Sequence, residues 1–357
     1  MWKFGLVGFG GLNRSQAYMN DPRVEVTAVC DVSSSALDRA GDFLRLPEKR
    51  LFTDYGDFLS ADIDVVVIGT PIPFHAEQAV MAMDAGRHVL SEVTAADTIE
   101  GCEAIVDASE RTGRTYMLAE NYIWFDYVQK WRQWIARGDL GRIYYAEGQY
   151  LHGIRELLVD PSTGERKWRY DRPPITYCTH CTGPLLYLMD DRLVRGTGIG
   201  DSHWSEPDGG VGHVDMQVAV FETARGAVVK FLASQVVARE PYLVHYCLYG
   251  TNGVVENGRT GHERTRGLLY RRDDASYVEG LAAIDCDPSD PEAPAEARAG
   301  GHGTSEYFLL REFLEAIETE RPALIDARRA FELTVPGLVA LESIKRGGVW
   351  LDVPQAR

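Results

Sequence analysis

Apolar residues along this chain follow two regimes. Up to about residue 121, short apolar runs alternate with stretches in which apolar positions recur every three or four residues. The runs at 4–7, 24–30, 63–68, 86–90 and 115–119 predict strands, and the stretches at 75–85 and 99–111 predict helices. Residues 63–68, Ile-Asp-Val-Val-Val-Ile, are nearly continuous and β-branched, as in a parallel strand covered on both faces. Beyond residue 122 a Trp- and Tyr-rich helix is expected at 127–137, and then strands predominate at 143–151, 211–221, 227–236 and 242–249. Val214-Asp215-Met216-Gln217-Val218 alternates apolar and polar side chains, which suits an antiparallel sheet with one covered face. Residues 284–301 are acidic and proline-rich and predict a solvated connector; helices at 303–319 and 327–345 close the chain. No internal repeat is visible.

The order of these elements predicts an α/β chain of two domains. Residues 1–121 form a doubly wound parallel-sheet domain. Residues 122–357 form an α+β domain on a large, mainly antiparallel open sheet, with a C-terminal helix able to pack back on the first domain. The first strand runs directly into Gly8-Phe9-Gly10-Gly11-Leu12-Asn13, and the second ends at Asp31. Strand, glycine turn, helix, strand and acid in that order make a Rossmann dinucleotide site. Gly8 allows the tight turn, Gly10 lets backbone approach a pyrophosphate, and the helix N-terminus offers N–H groups and a positive dipole end. Asn13 stands where a third glycine is usual, which loosens helix–strand contact. A carboxylate at Asp31 accepts hydrogen bonds from a ribose 2′-hydroxyl and repels a 2′-phosphate. The following Val32-Ser33-Ser34-Ser35 offers no cation to receive that phosphate, so NAD is the expected cofactor. The competing role for Asp31 is a helix N-cap, which the neighbouring serines serve equally well. Ligands of open parallel sheets sit beyond the carboxyl ends of strands. Gly8–Asn13, Asp31, the Thr70-Pro71 turn with His75, Glu92-Val93 and Asn121 are therefore expected to converge on one crevice.

Composition narrows the class without changing the fold. At 357 residues with 45% hydrophobic content, two cores are affordable. A net charge of −16 argues against nucleic acid as a partner. No run approaches the roughly 20 apolar residues that cross a bilayer, and no signal peptide fits before the first strand, so a cytoplasmic location is expected. Six cysteines in a chain of this length do not make a disulfide framework.

The second domain holds the candidate chemistry. Arg172-Pro173-Pro174-Ile175 leads into an apolar helical run, which places Tyr177 to His180 at a helix entry. Cys178-Thr179-His180-Cys181 invites a zinc reading, but a structural zinc needs four ligands and no second Cys/His pair follows at close spacing, so no metal is expected. The Tyr-x-Thr-His spacing instead sets a phenol and an imidazole within one helical turn, two groups suited to proton transfer.

Taken together, the glycine turn, Thr70-Pro71 with His75, Gly86-Arg87-His88-Val89-Leu90-Ser91-Glu92 and the segment ending in His180 resemble the Gfo/Idh/MocA family. In its dehydrogenases the strand before Glu92 continues as Glu-Lys-Pro, and the lysine is an acid/base. Here Glu92-Val93-Thr94 lacks that lysine, and Thr176 replaces the aspartate four residues before the motif histidine. Several segments resemble another branch, the NAD-dependent glycoside hydrolases of α-N-acetylgalactosaminidase type. They are Ser91-Glu92-Val93, Glu120-Asn121-Tyr122, Glu147 to His152, Trp168-Arg169 and Tyr177 to Pro184. That resemblance implies that Glu92, Val93 and Asn121 contact the nicotinamide half of NAD. It also implies that Tyr150, Arg169 and the Tyr177–His180 segment line a sugar site, with dimers or tetramers as the assembly. The exposed face of the antiparallel sheet is a suitable surface for such assembly.

The implied reaction removes hydrogen at sugar C3, eliminates the group at C1, adds water and restores C3, with no pair of flanking carboxylates. An imidazole is already partly in its base form at pH 7, whereas a phenol with a pKa near 10 still holds its proton, so His180 is assigned to the C3 hydroxyl, Tyr150 to the C2 proton, and Tyr177 to a place beside the cofactor. Arg169 is expected on sugar oxygens, Trp168 against a sugar face, and His302 of Gly301-His302-Gly303 on substrate. Two other readings compete. One is a plain NAD-dependent sugar or polyol dehydrogenase using His180 in place of the lysine. The other is a non-catalytic NAD-binding sensor.

Overall fold

A computed structural model describes residues 1–9, 20–160, 162–205, 214–260, 265–272, 280–299 and 301–356. Gly10, Gly11, Leu12 and Asn13 of the glycine turn, the helix expected after it and part of the strand expected at 211–221 lie outside them. The chain divides into two compact units. The first comprises Met1–Asn121, Pro291–Phe331 and residue 356, and the second Tyr122–Asp290 with Glu332–Gln355.

In the first unit, β1 (Trp2–Val7), β2 (Val24–Cys30), β3 (Leu51–Phe52), β4 (Val65–Ile68), β5 (His88–Ser91) and β6 (Tyr116–Leu118) form a parallel sheet in the order β3-β2-β1-β4-β5-β6. That is the doubly wound order in which the connection reverses beside β1. Every residue of β4 is fully buried, as its continuous apolar run requires. The helices are α1 (Ser34–Leu44), α2 (Tyr55–Leu59), α3 (His75–Asp84) and α4 (Ile99–Thr112). In α4 the buried Cys102, Ile105, Val106 and Ala108 make one face, Thr98 caps the start by accepting from the Gly101 N–H, and Gly113 ends it at φ +64°. The strand expected at 86–90 begins only at His88, because Gly86 takes φ +81° in the turn that closes α3.

The second unit contains α5 (Asp126–Ala136), β7 (Ile143–Leu151), the single turn α6 (Arg155–Leu158), α7 (Thr179–Met189), β8 (Leu193–Ile199), β9 (Gln217–Thr223), β10 (Val228–Ser234), β11 (Leu243–Gly250), β12 (Gly253–Asn257), β13 (Arg266–Arg271) and β14 (Ala282–Asp285). With β15 (Leu351–Asp352), its strands order as β14-β13-β12-β11-β7-β10-β9-β8-β15, and among these only β7 and β10 run parallel. Burial alternates along β9, with Ala219 and Phe221 covered and Val218, Val220 and Glu222 partly exposed. Helix α7 lies on the covered face at β7. A Cβ on Gly148 would sit 3.0 Å from the Cys181 Cβ, so glycine sets that close approach.

Three sequence expectations change here. Val214 and Asp215 lie outside β9: the Asp215 carboxylate accepts from the backbone N–H groups of Trp204 and Ser205 and ties a loop instead. Residues 284–301 are not all connector, since they include the end of β14 and a 3-10 turn at Ala295–Ala299. The closing helices are α8 (Ser305–Glu318) and α9 (Ala327–Lys345). Residues 291–331, with α8, group with the first unit rather than with the domain written for 122–357. Phe313 of α8 meets Phe4 of β1 edge-on at 6.4 Å, and Leu118 of β6 donates its N–H to Ile325 O at 3.0 Å.

Candidate active site

Candidate site residues occur in both units. In the first, the end of β1 is a place that only glycine fills. Gly8 has φ +80°, and a Cβ there would lie 2.6 Å from the Thr70 nitrogen and 2.7 Å from the Gly69 carbonyl carbon. Both backbones are pinned, the Gly8 N–H on Cys30 O and the Gly69 N–H on Val7 O, each at 2.9 Å. A strand end this tightly turned against the next strand's loop fits the phosphate-binding turn of a dinucleotide. At the end of β2, Ser33 caps α1 through the Ala36 N–H, while an Asp31 oxygen accepts from the Ser33 N–H at 2.9 Å. Asp31 is therefore not the cap.

Beyond β4 the Thr70 hydroxyl donates to Gln78 Oε1 at 2.6 Å. His75 starts α3 and is buried, its ring nitrogens each 2.8 Å from a carbonyl oxygen, of Thr70 and of Thr94. It clasps the loop after β4, with Pro71, to the loop after β5, which carries Glu92 and the buried Val93. Asn121 follows β6 and is buried, its Nδ2 directed at Ser305 Oγ at 3.5 Å. His302, expected among the substrate residues, belongs to this unit. Its Nδ1 lies 2.6 Å from Glu306 Oε1, and the Ser305 hydroxyl donates to the His302 carbonyl.

In the second unit the structure gathers His180, Tyr150 and Tyr177 into one ring cluster. His180 stands in the first turn of α7, with Cys178 at the cap position. The segment around it is fixed at three places. Tyr246 OH donates to His180 O at 2.5 Å, Thr182 Oγ1 donates to Leu333 O of α9 at 2.7 Å, and a Cβ on Gly337 would meet Ile175 O at 2.6 Å. The imidazole stacks on Tyr122 with centroids 3.9 Å apart and planes 12° apart; Tyr150 lies 5.2 Å away and Tyr177 edge-on at 5.3 Å. His180 is 6% exposed and Tyr150 8% exposed. The Tyr150 hydroxyl lies 3.1 Å from His152 Nδ1, and His152 packs against Tyr242 at 4.7 Å. The Arg169 guanidinium rests over Trp168 at 4.3 Å and over Tyr177 at 5.7 Å, forming a half-buried wall beside the phenol.

Sequence reasoning missed Tyr122 and His152 as members of this cluster. His152 carried a legible signal, since it lies two positions beyond Tyr150 and so projects to the same side. Tyr122 carried none, because a face-to-face contact between residues 122 and 180 depends on tertiary packing. All six cysteines are buried and none forms a disulfide, and among the described residues no three His, Cys, Asp or Glu side chains cluster as a metal site. No helix of the described residues is long and apolar enough to cross a membrane.

Comparison with known proteins matches residues 2–120 to the oxidoreductase family model with an NAD-binding Rossmann fold, and residues 128–256 to the GFO/IDH/MocA C-terminal domain. A glycosyl hydrolase family 109 protein of Saccharopolyspora erythraea is 29% identical over 99% of this chain and 82% of its own. Another from Shewanella pealeana is 26% identical over 99% of this chain and 84% of its own. Among solved structures, levoglucosan dehydrogenase in complex with NADH and levoglucosan superimposes with a TM-score of 0.83 at 21% identity, covering 99% of this chain and 100% of that one. An oxidoreductase domain protein from Kribbella flavida gives 0.83 at 21% identity, with 99% of both chains covered. At such identities these two likenesses speak for the fold alone.

Proposed function

Because the chain belongs to the Gfo/Idh/MocA oxidoreductase family and is an NAD-dependent enzyme, we propose that it cleaves glycosides by a redox-neutral route rather than oxidising sugars outright. One observation carries this reading: two separate proton-transfer groups share one cluster, His180 and the Tyr150 hydroxyl with its His152 partner. A dehydrogenase removes one proton, from a hydroxyl. Elimination across C1–C2 needs a second group, for the C2 proton. The names of the curated relatives support the same reading, and so does Val93 where family dehydrogenases carry a lysine.

Gly8, Asp31, Thr70 and Asn121 are the residues assigned to hold NAD, which when bound accepts hydride from sugar C3 and returns it. His180 takes the C3 hydroxyl proton. Tyr150 passes its hydroxyl proton to His152 Nδ1, 3.1 Å away, and takes the proton from C2, now acidified by the adjacent carbonyl, while the C–H electron pair becomes the C1=C2 bond as the C1–O bond breaks toward the leaving group. Water then adds at C1 and gives its proton to the leaving group, Tyr150 returns a proton to C2 and recovers its own from His152, and His180 returns one to the C3 oxygen. General acid–base groups of this kind each contribute about 10²- to 10⁴-fold. Arg169 and Trp168 are assigned to hold the sugar, the first by hydrogen bonds and the second by stacking.

The test is a panel of p-nitrophenyl glycosides in D2O. The expected result is aryl release, deuterium at C2 of the product and no net accumulation of NADH. Stoichiometric NADH from free sugars without aryl release would overturn the proposal in favour of a dehydrogenase. NAD binding with neither activity across the panel would leave a sensor.

A further inference from the structure

Buried polar groups beside the carboxyl end of β6 form one hydrogen-bonded chain, all of it within the first unit. Ser305 and Glu306 open α8 and are both buried, Ser305 completely. Glu306 Oε1 holds His302 Nδ1 at 2.6 Å. The Ser305 hydroxyl lies 2.8 Å from His302 O and 3.3 Å from Glu306 Oε2. A carbonyl and a carboxylate only accept, so the single hydroxyl hydrogen of Ser305 is committed to one of them. What Ser305 Oγ turns toward Asn121, 3.5 Å away, is therefore lone-pair density. That polarity decides which end of the Asn121 carboxamide faces it. Nδ2 donates toward Ser305, and Oδ1 is the end left over. Among the described residues nothing donates to Asn121 Oδ1, although Asn121 is only 4% exposed. An acceptor so placed calls for a donor from a ligand.

The place of Asn121 in the sheet identifies that donor. Ligands of a doubly wound sheet lie across the carboxyl ends of its strands. With the adenosine ribose assigned to Asp31 after β2 and the pyrophosphate to the turn after β1, the far half of the coenzyme runs over β4, β5 and β6. Asn121 follows β6, and the only hydrogen-bond donor on a nicotinamide ring is its carboxamide N–H. We propose that Ser305 is a positioning residue: it turns the Asn121 carbonyl toward that N–H and so makes the site select a ring amide over ring substituents that only accept. The inference rests on the assignment of Asn121 to the coenzyme. Glu306 supports the arrangement by holding His302, whose carbonyl engages the Ser305 hydroxyl. An acetyl group in place of the ring amide keeps the shape and the carbonyl but has no N–H, so Asn121 Oδ1 stays covered without a donor. A carboxylate there is worse, because a charged oxygen would face the Asn121 carbonyl.

The experiment measures dissociation constants for NAD, its 3-acetylpyridine analogue and ADP-ribose, which lacks the ring, by displacement of NADH fluorescence. The proteins are wild type, Ser305→Ala and Ser305→Cys. Wild type should favour NAD over the analogue at least about tenfold. Removing the Ser305 acceptor frees the Asn121 amide to offer Nδ2 to the acetyl oxygen. Ser305→Ala should therefore bring the ratio below about threefold, while ADP-ribose affinity moves less than about twofold. Ser305→Cys, close in size and a weak acceptor, should act in the same direction and controls for a packing fault in the alanine variant. Equal wild-type affinity for NAD and the analogue would overturn the proposal. So would an unchanged ratio in both variants, or losses shared equally by NAD and ADP-ribose. Wild type that takes up none of these dinucleotides would overturn the coenzyme assignment itself, and this inference with it.

Discussion

Gly8→Ala is the sharpest probe of the cofactor half of the site, and the molecule supplies its own control. Gly8 and Gly86 have nearly the same backbone conformation, φ +80° and +81°, and both belong to the first unit. A Cβ on Gly86 meets nothing within 4 Å, whereas one on Gly8 lies 2.6 Å from Thr70 N and 2.8 Å from Gly69 O. Gly86→Ala therefore isolates the cost of a side chain at positive φ, about 1 kcal/mol. Gly8→Ala adds overpacking against backbone that the Val7–Gly69 and Gly8–Cys30 hydrogen bonds hold in place, a further 1–3 kcal/mol or so. Stability is read from urea unfolding by far-UV circular dichroism; taking the difference between two variants of one unit cancels most of the extrapolation error. If the strain is relieved by parting β1 from the loop after β4, NAD affinity measured by fluorescence titration falls about tenfold or more for Gly8→Ala. It stays near wild type for Gly86→Ala. Equal unfolding midpoints for the two variants, or undiminished NAD binding by Gly8→Ala, would refute the reasoning.

Further expectations concern the chemistry and the pH response. His180→Ala should retain NAD affinity and lose about 10²- to 10⁴-fold in kcat; unchanged turnover would remove His180 from the mechanism. Tyr150→Phe should suppress deuterium entry at C2 more than it slows oxidation at C3, measured by NMR, and equal losses would deny the residue its separate task. Asp31→Ser should raise NADP affinity relative to NAD, since a carboxylate repels the 2′-phosphate; an unchanged ratio argues that the ribose lies elsewhere. His245 is fully buried, and burial together with the Arg259 guanidinium pushes it down to about 4 from 6.5. Its neutral form is favoured by folding, so the stability it lends is complete above pH 6.5 and is lost as pH falls toward 4, on the order of 3 kcal/mol. Thermal midpoints of wild type should drop through that window, and His245→Gln should flatten the drop; parallel curves for the two proteins would refute it.

The elements legible in the sequence are those whose pattern has a single physical solution. The apolar run of β4 fits a strand covered on both faces, whereas the alternation read at 214–218 was out of phase: β9 starts at Gln217, which is buried, and Val218 is partly exposed. Gly8 was legible because a turn leaving β1 toward a second strand needs positive φ. The two-residue strand β3 carried too few residues to register a period, and β12 to β14 were not read from the sequence. Residues 291–331 were assigned by adjacency in the chain, yet the apolar face of α8, Phe313 included, finds its partners around Phe4. The catalytic rings were legible one by one as reactive types. Their arrangement was not, because Tyr122 and His180 meet through packing at a separation that no local spacing encodes.

That return of residues 291–331 to the first unit has a consequence for biosynthesis. The N-terminal sheet leaves the ribosome well before the edge-on cover of Phe4 and the backbone partner of Leu118, which lie at Phe313 and Ile325. Until then its apolar flank is exposed, and closing so long a loop is slow. The coenzyme-binding half should therefore mature only after residues 122–290 of the second unit have been made. Fragments ending before residue 331 should need chaperones and aggregate without them.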